Sequence, residues 1–188
     1  MSKLFLHIFT SLDGFIEDDQ KSVDFMYGGA DIERYLNDTL RDIDGMIFGR
    51  RAHECLAGYW PTAGEAPQAT ALQRDNAMLM NQLPKYAISR GDYRSEWENS
   101  FTISGDVAKQ VKEMKGRANK DIALFAGAAA AQSFIDMGLV DEYRIVVNSV
   151  ILGKGTPLFG TGRPTIPLRL AETTRFGPAA IALRYEPA

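Results

Sequence analysis

The sequence predicts an α/β fold: a three-layer αβα sandwich around a mostly parallel central sheet, closed by an antiparallel C-terminal edge. Three observations predict it. Apolar runs of strand length alternate with stretches of helical periodicity from Lys3 to Met137. Glycine or other turn chemistry stands where the chain must reverse. Beyond Gly138 the alternation stops, and β-prone runs follow one another with no helix between them.

Taken in order, Lys3 to Phe9 is nearly all apolar, which suits a central strand covered on both faces. Ser11-Leu12-Asp13-Gly14 then supplies turn chemistry, since Ser and Asp side chains bond nearby backbone and Gly takes positive φ. Ile32, Tyr35, Leu36 and Leu40 recur at helical spacing, predicting an amphipathic helix over Asp31 to Arg41 behind the helix-excluding pair Gly28-Gly29. Asp31 reads as its N-cap, or alternatively as a carboxylate in a cleft that relays a proton. Gly45 to Phe48 is a second strand ending at Gly49-Arg50-Arg51, and Ala52 to Ala57 is helical. Pro61, Gly64 and Pro67 break regular structure between Trp60 and Gln68, and a helix over Ala69 to Leu83 stops at Pro84. Lys85 to Ser89 is a third strand, and Ser100 to Ser104 a short β-prone piece closed by Gly105-Asp106. Val107, Val111 and Met114 mark one helix face, with Lys109, Lys112 and Lys115 opposite in solvent. Asp121 to Ala126 is a strand that runs through Gly127 into a helix over Ala128 to Met137. Glu142 to Leu152, Arg169 to Phe176 and Ala180 to Glu186 complete the sheet, with Gly153-Lys154-Gly155 as a turn or bulge.

The bulk composition narrows the function classes. The 188 residues suit one domain spanning 1–188, with no repeat or linker to divide it. A net charge of −3 offers no general attraction to nucleic acid or to an anionic membrane. Leu4 to Phe9 is interrupted by His7 and is far shorter than the roughly 20 residues of a spanning helix, so neither a membrane segment nor a signal peptide is expected. Cys55 is the single cysteine, and His7 and His53 are too scattered for a zinc site, so no metal is expected and the cytoplasm is the expected compartment. Cys55 and His53 stand two apart on a helix and do not face each other, which leaves Cys55 as a small buried hydrophobe.

In open α/β sheets ligands settle at the carboxyl ends of strands, against helix N-termini. Gly49, Gly105 and Gly127 each stand just after an apolar strand and before helical sequence, the arrangement an extended phosphate-bearing ligand requires. Neither G-x-G-x-x-G nor a Walker loop is present. Arg50, Arg51 and Arg90 follow strand ends, where guanidinium groups can pair with a phosphate or serve merely as surface cations.

Ser11-Leu12-Asp13-Gly14-Phe15-Ile16, Gly49-Arg50-Arg51-Ala52-His53-Glu54, Tyr59-Trp60-Pro61 and Gly138-Leu139-Val140-Asp141-Glu142 through Gly153-Lys154-Gly155-Thr156-Pro157-Leu158-Phe159 recur in one order. Together they resemble the dihydrofolate reductase-like, RibD C-terminal domain family over nearly the whole chain. The resemblance implies an αβα sandwich, often a homodimer, that binds NADPH across the strand ends. It also implies reduction of pteridine-like or aminopyrimidine substrates such as the riboflavin-pathway ribosylaminouracil phosphate. By the matching blocks, Phe9 and Ile16 would lie near the nicotinamide, Gly49, Arg50, Arg51 and Ala52 near the pyrophosphate, and Ser89 and Arg90 near the adenosine 2′-phosphate. Ala126, Gly127, Ala128 and Ala129 would flank the phosphates, and Asp31 falls where dihydrofolate reductases place their acid. Ser11, Asp13, Asp31 and Trp60 would border the substrate cleft, Asp13 and Asp31 as catalytic carboxylates. Ala52 replaces a usual threonine, and Ala126-Gly127 replaces a usual Gly-Gly pair. Those departures keep open an alternative, a non-catalytic nucleotide-binding or regulatory dimer on the same fold. No H-x-E with P-C-x-x-C accompanies the chain, so the zinc deaminase partner is absent from it.

Overall fold

The computed structural model describes residues 2–162 and 164–188. Its strands are β1 (Leu4–Thr10), β2 (Phe15–Glu17), β3 (Ile43–Gly49), β4 (Lys85–Ile88), β5 (Ser100–Ile103), β6 (Asp121–Leu124), β7 (Glu142–Asn148), β8 (Thr156–Pro157), β9 (Leu168–Phe176) and β10 (Ala180–Pro187). The helices are α1 (Ala30–Arg41), α2 (Arg50–Ala57), α3 (Trp60–Ala63), α4 (Ala71–Gln82), α5 (Val107–Arg117) and α6 (Ala128–Asp136). Eight strands make one sheet in the order β5-β4-β3-β6-β1-β7-β10-β9. Neighbours from β5 to β7 are parallel, and β10 runs antiparallel to β7 and to β9. A mostly parallel sheet with an antiparallel edge is therefore observed as the sequence predicts.

The period-two alternation of the strands divides the core between two faces. Leu4, Leu6, Ile8 and Leu124 pack with Val111 of α5 and Phe134 of α6. Phe5, Met46 and Phe48 turn the other way, against Leu40 of α1, Met80 of α4 and Trp97. These helices leave β9 exposed along most of its length, and it carries Arg169, Glu172, Thr173, Thr174 and Arg175 where the inner strands are mostly apolar.

Several local expectations are corrected. The segment between Trp60 and Gln68 contains a short helix, because Pro61 occupies its first turn, where the missing N–H costs nothing. The helix before Pro84 starts at Ala71 behind a capping box, in which Thr70 accepts from the Gln73 amide while the Gln73 side chain accepts from the Thr70 amide. The β-branched run from Glu142 leaves the sheet at Asn148, and residues 149–155 form a loop. Phe15–Glu17 and Thr156–Pro157 pair as a separate ribbon. Gly155 permits that pairing: its φ is +144°, and a Cβ there would stand 2.1 Å from the Glu17 carbonyl oxygen. Cys55 is exposed, whereas His53 is the buried member of the pair, its ring nitrogens each 3.0 Å from the Tyr93 and Ser100 hydroxyls. Lys115 does not merely face solvent but pairs with Asp141.

Charged and polar groups inside the fold are neutralised locally, as burial demands. The buried Glu142 carboxylate meets Arg144 at 2.6 Å and Lys3 at 3.3 Å. Lys85 is fully buried and donates to the Met80, Asn81 and Leu83 carbonyls at 2.8–2.9 Å, closing the C-terminal end of α4. His7 differs, since its ring lies between Phe9, Tyr35 and Phe125 with Nε2 buried and unpartnered. Burial, with a smaller contribution from the Arg144 charge, holds His7 neutral down to about pH 3.

Because this folded pKa lies below the ordinary value of 6.5, the stability is complete above 6.5 and is lost as pH falls toward 3. Between pH 7 and about pH 4.5, His7 alone should account for about 2–3 kcal/mol of lost unfolding free energy. Urea titration of wild type and His7→Leu at both pH values checks this: the loss on acidification should shrink by that amount in the variant.

Candidate functional site

Parallel pairing brings the carboxyl ends of six strands to one edge of the sheet. Their order puts the ends of β3, β6, β1 and β7 side by side. Gly49, Leu124 and Thr10 close the first three of these, so the segments they introduce, Ala126 and Gly127 among them, meet there although they are far apart in sequence.

Besides α1, whose N-cap is Gly29, two helices leaving this edge start on glycines. Gly49 and Gly127 occupy the N-cap positions of α2 and α6 with extended backbones, and no side chain caps either helix. Their first-turn amides, in residues 50–52 and 128–130, therefore have no intrahelical acceptor. The two starts pack closely, since a Cβ on Gly49 would lie 3.1 Å from the Ala130 Cβ, whereas a Cβ on Gly127 would meet nothing within 4 Å. Opposed uncapped N-termini with an open space beside Gly127 make a cradle suited to the phosphates of an extended ligand. Ile16 of β2 belongs to the same apolar cluster as Ala126, Ala128 and Leu158, so the ribbon lies over the strand ends. Gln132 of α6 holds the ribbon there by donating to the Leu158 carbonyl at 3.0 Å. The register pairs Gly49 with Ile88, so Arg50 and Ser89 leave neighbouring strands together, with Arg90 next.

The adjacent corner is acidic. Asn148, buried at the end of β7, donates to the Thr10 carbonyl at 3.0 Å and accepts from the Tyr27 amide at 2.9 Å. This amide fastens the entry of α1 to the ends of β1 and β7. Asp31 lies inside the first turn and is not the N-cap, which is Gly29. Its carboxylate accepts from the Ile32 amide at 3.0 Å and from the Tyr27 hydroxyl, which the carboxylate holds protonated above the usual tyrosine range. Gly29 makes that contact possible, because a Cβ on it would stand 2.0 Å from the Tyr27 hydroxyl oxygen. Phe9 is half-buried beside His7 and packs with Ile32 and Phe176 below this corner.

The family model of the RibD C-terminal domain matches residues 2–182. The chain belongs to the RibD C-terminal domain family. It is 30% identical over 183 residues to YyaP of Bacillus subtilis, itself uncharacterized, with 97% of this chain and 94% of YyaP covered. A putative riboflavin biosynthesis protein from Shewanella sp. PV-4 superposes with a TM-score of 0.77 at 17% identity, covering 99% of each chain. Dihydrofolate reductase from Enterococcus faecalis, complexed with NADP(H), superposes with a TM-score of 0.65 at 10% identity, covering 98% of this chain and 96% of that one. The sheet is thus of the dihydrofolate reductase-like kind.

Within this RibD C-terminal domain, other expected site residues have structural partners. Ser11 Oγ accepts from the Phe15 amide at 2.9 Å, and Asp13 accepts from the Leu152 and Gly153 amides at 3.1 and 2.8 Å. The Ser11 hydroxyl and these amides hold the Asp13 carboxyl below the usual range, and it clamps the 149–155 loop. Gly105 ends the edge strand, where the α5 N-terminus is already capped by Asp106 accepting from the Lys109 amide. Arg50 pairs with Glu54 at 2.8 Å and lies over the Tyr93 ring, while the Glu17 carboxyl, raised by burial, is brought below its usual range by the Thr156 hydroxyl and Lys21 with a smaller contribution from Arg51. Ala126 does not have a positive φ and Gly127 has φ −69°, so neither position needs the backbone freedom of glycine. Ala129 is exposed in the first turn of α6, and Ala52 is half-buried in that of α2. Trp60 packs against the aromatic core with its Nε1 buried and unpartnered.

Tyr27, Gly29 and Asn148 carry the acidic corner and were not singled out by the sequence. The Tyr27-Gly28-Gly29-Ala30-Asp31 spacing was the available signal, because a helix-excluding glycine pair also leaves room for a large side chain to fold back. If the Tyr27 hydroxyl rests on the Asp31 carboxylate, Asp31→Asn removes the charge that opposes phenol ionisation. Tyrosine titration followed by ultraviolet absorbance should then show one phenol ionising at lower pH than in wild type, a change that Glu33→Gln should not produce.

Proposed function

We propose that this protein is an NADPH-dependent reductase acting on a pteridine-like or aminopyrimidine ring of the riboflavin-biosynthesis or dihydrofolate reductase kind. One observation carries the reading: the uncapped starts of α2 and α6 share a sheet edge with a carboxylate–phenol pair at the head of α1. The first element suits a pyrophosphate, and the second suits proton supply to a ring atom. Arg50, Ser89 and Arg90 leave adjacent strand ends, which supports recognition of a 2′-phosphate and thus NADPH over NADH.

When bound, the dinucleotide supplies a hydride. Asp31 and Tyr27 then hold a proton beside the reducible ring, with Tyr27 donating to the carboxylate until a more basic substrate atom competes for it. Ile16 and the ribbon above the strand ends exclude water from that side. Exposed Leu168 and Leu170 on the outer strand β9 support the expected homodimer, and the acidic balance with one unpaired cysteine suits a cytoplasmic protein.

Absorbance loss of NADPH in the presence of folates, pterins and the riboflavin-pathway pyrimidine tests the activity. Asp31→Asn should lower turnover about 100-fold while leaving NADPH binding intact. Gly127→Leu, which fills the open space at α6, should weaken NADPH binding about tenfold or more, read as a lost thermal shift. Binding without turnover on every substrate would favour the alternative, a non-catalytic nucleotide-binding dimer, and absence of binding would remove both readings.

A further inference from the structure

We infer that Tyr93, anchored by the buried His53, determines the cofactor preference of the proposed reductase site by holding Arg50 where a 2′-phosphate would bind. The inference rests on the reductase reading above and adds to it two positioning residues that lie outside the phosphate site. Arg50 opens α2 with its side chain more than half exposed, and a long exposed side chain gives up rotamer freedom when it grips a ligand. Two neighbours order it beforehand. Glu54, one turn on, accepts from Arg50 Nε at 2.8 Å, and the guanidinium lies over the Tyr93 ring, 5.1 Å from its centroid. The two Nη groups of a guanidinium held this way form a fork that matches phosphate oxygens.

Tyr93 is itself fixed at both ends. It belongs to the irregular segment 89–99 between β4 and β5, three residues beyond Arg90. Its carbonyl accepts from Thr102 Oγ1 at 2.5 Å, and its hydroxyl lies 3.0 Å from His53 Nδ1. His53 is fully buried among the Phe48, Tyr93 and Trp97 rings, with Nε2 3.0 Å from Ser100 Oγ. Burial, and after it the Lys85 charge, holds the imidazole below the ordinary histidine range, so at pH 7 it is neutral and offers one N–H and one lone pair. A hydroxyl at each nitrogen satisfies both in either tautomer. Arg50 and His53 stand three apart on α2 and therefore on one face, which grips the segment after β4 at the Tyr93 hydroxyl and lays Arg50 on the same ring. Gly49 pairs with Ile88, so Arg50 leaves the sheet beside Ser89 and Arg90. A dinucleotide without the 2′-phosphate makes no use of the ordered guanidinium, so the anchor acts on NADPH and not on NADH.

Calorimetric titration of NADPH and NADH into wild type, Tyr93→Leu, His53→Phe, Arg50→Ala and the Tyr93→Leu/Arg50→Ala double variant tests this. Wild type should bind NADPH about tenfold or more tighter than NADH, and Arg50→Ala should remove most of that ratio. Tyr93→Leu should lower the ratio about fivefold, through NADPH alone, and should change it no further once Arg50 is alanine. His53→Phe keeps a ring in the core but releases the Tyr93 hydroxyl, and should lower the ratio about threefold. Where His53→Phe fails to fold, Tyr93→Phe breaks the same bond from the other side and should give the same fall. Equal weakening of both dinucleotides, a ratio that falls as far in the Arg50→Ala background as in wild type, or no preference for NADPH in wild type overturns the inference while the dinucleotide site stands. Failure of both dinucleotides to bind overturns the reductase reading and the inference with it, so the two failures are distinct.

Discussion

The close approach of α2 to α6 is the constraint on which the strand-end site depends. Parallel pairing of β3 with β6 places the two helix starts one strand apart, and the 3.1 Å between a hypothetical Cβ on Gly49 and Ala130 shows how little room separates them. A side chain on Gly49 would spread the helices, and a long one on Gly127 would fill the space between their free amides. Alanine at 128, 129 and 130 keeps that wall low, so the amides remain the dominant feature of the edge. The dipoles of two helices and their first-turn amides converge at this edge, with Arg50 and Arg51 at the start of α2.

Charge is distributed about this edge by strand order. Arginines follow β3 and β4, uncapped amides follow β3 and β6, and carboxylates head the helix fastened over β1 and β7. Charge therefore runs one way along the edge, from arginines and free amides at β4, β3 and β6 to carboxylates over β1 and β7. Asn148 sets that polarity, because a single buried amide bonds both the end of β1 and the residue that folds over Asp31. Tyr27, Gly29 and Asp31 then act as one unit, the glycine giving space, the phenol its proton and the carboxylate its charge.

Much of the architecture was legible because the sequence patterns are local. Apolar runs named β1, β3, β4, β5 and β6 within one or two residues, and the loss of helical periodicity after Gly138 announced the antiparallel edge. The two uncapped helix starts were legible for the same reason, since Gly49 and Gly127 each follow a strand and open a helix. What escaped depends on contacts across the fold. Asn148 looked like the interior of a β-branched run, and only its bonds to Thr10 and Tyr27 show that it ends the strand. The bonds that the Asp13 carboxylate accepts from the amides of Leu152 and Gly153, about 140 residues away, had no signal in the turn around it. Asp31 passed for a cap because Gly29, having no side chain, leaves no capping signature of its own.

The central claim is that the phosphates of a dinucleotide lie between the starts of α2 and α6. Backbone amide chemical shifts of the isotope-labelled protein, recorded before and after addition of NADPH, test it most directly. The largest changes should fall on residues 50–52 and 128–130, with a second group at Ser89 and Arg90. Changes confined to the opposite end of the sheet, around Gly45, Gln110 and Arg117, with residues 50–52 and 128–130 unmoved, would contradict it.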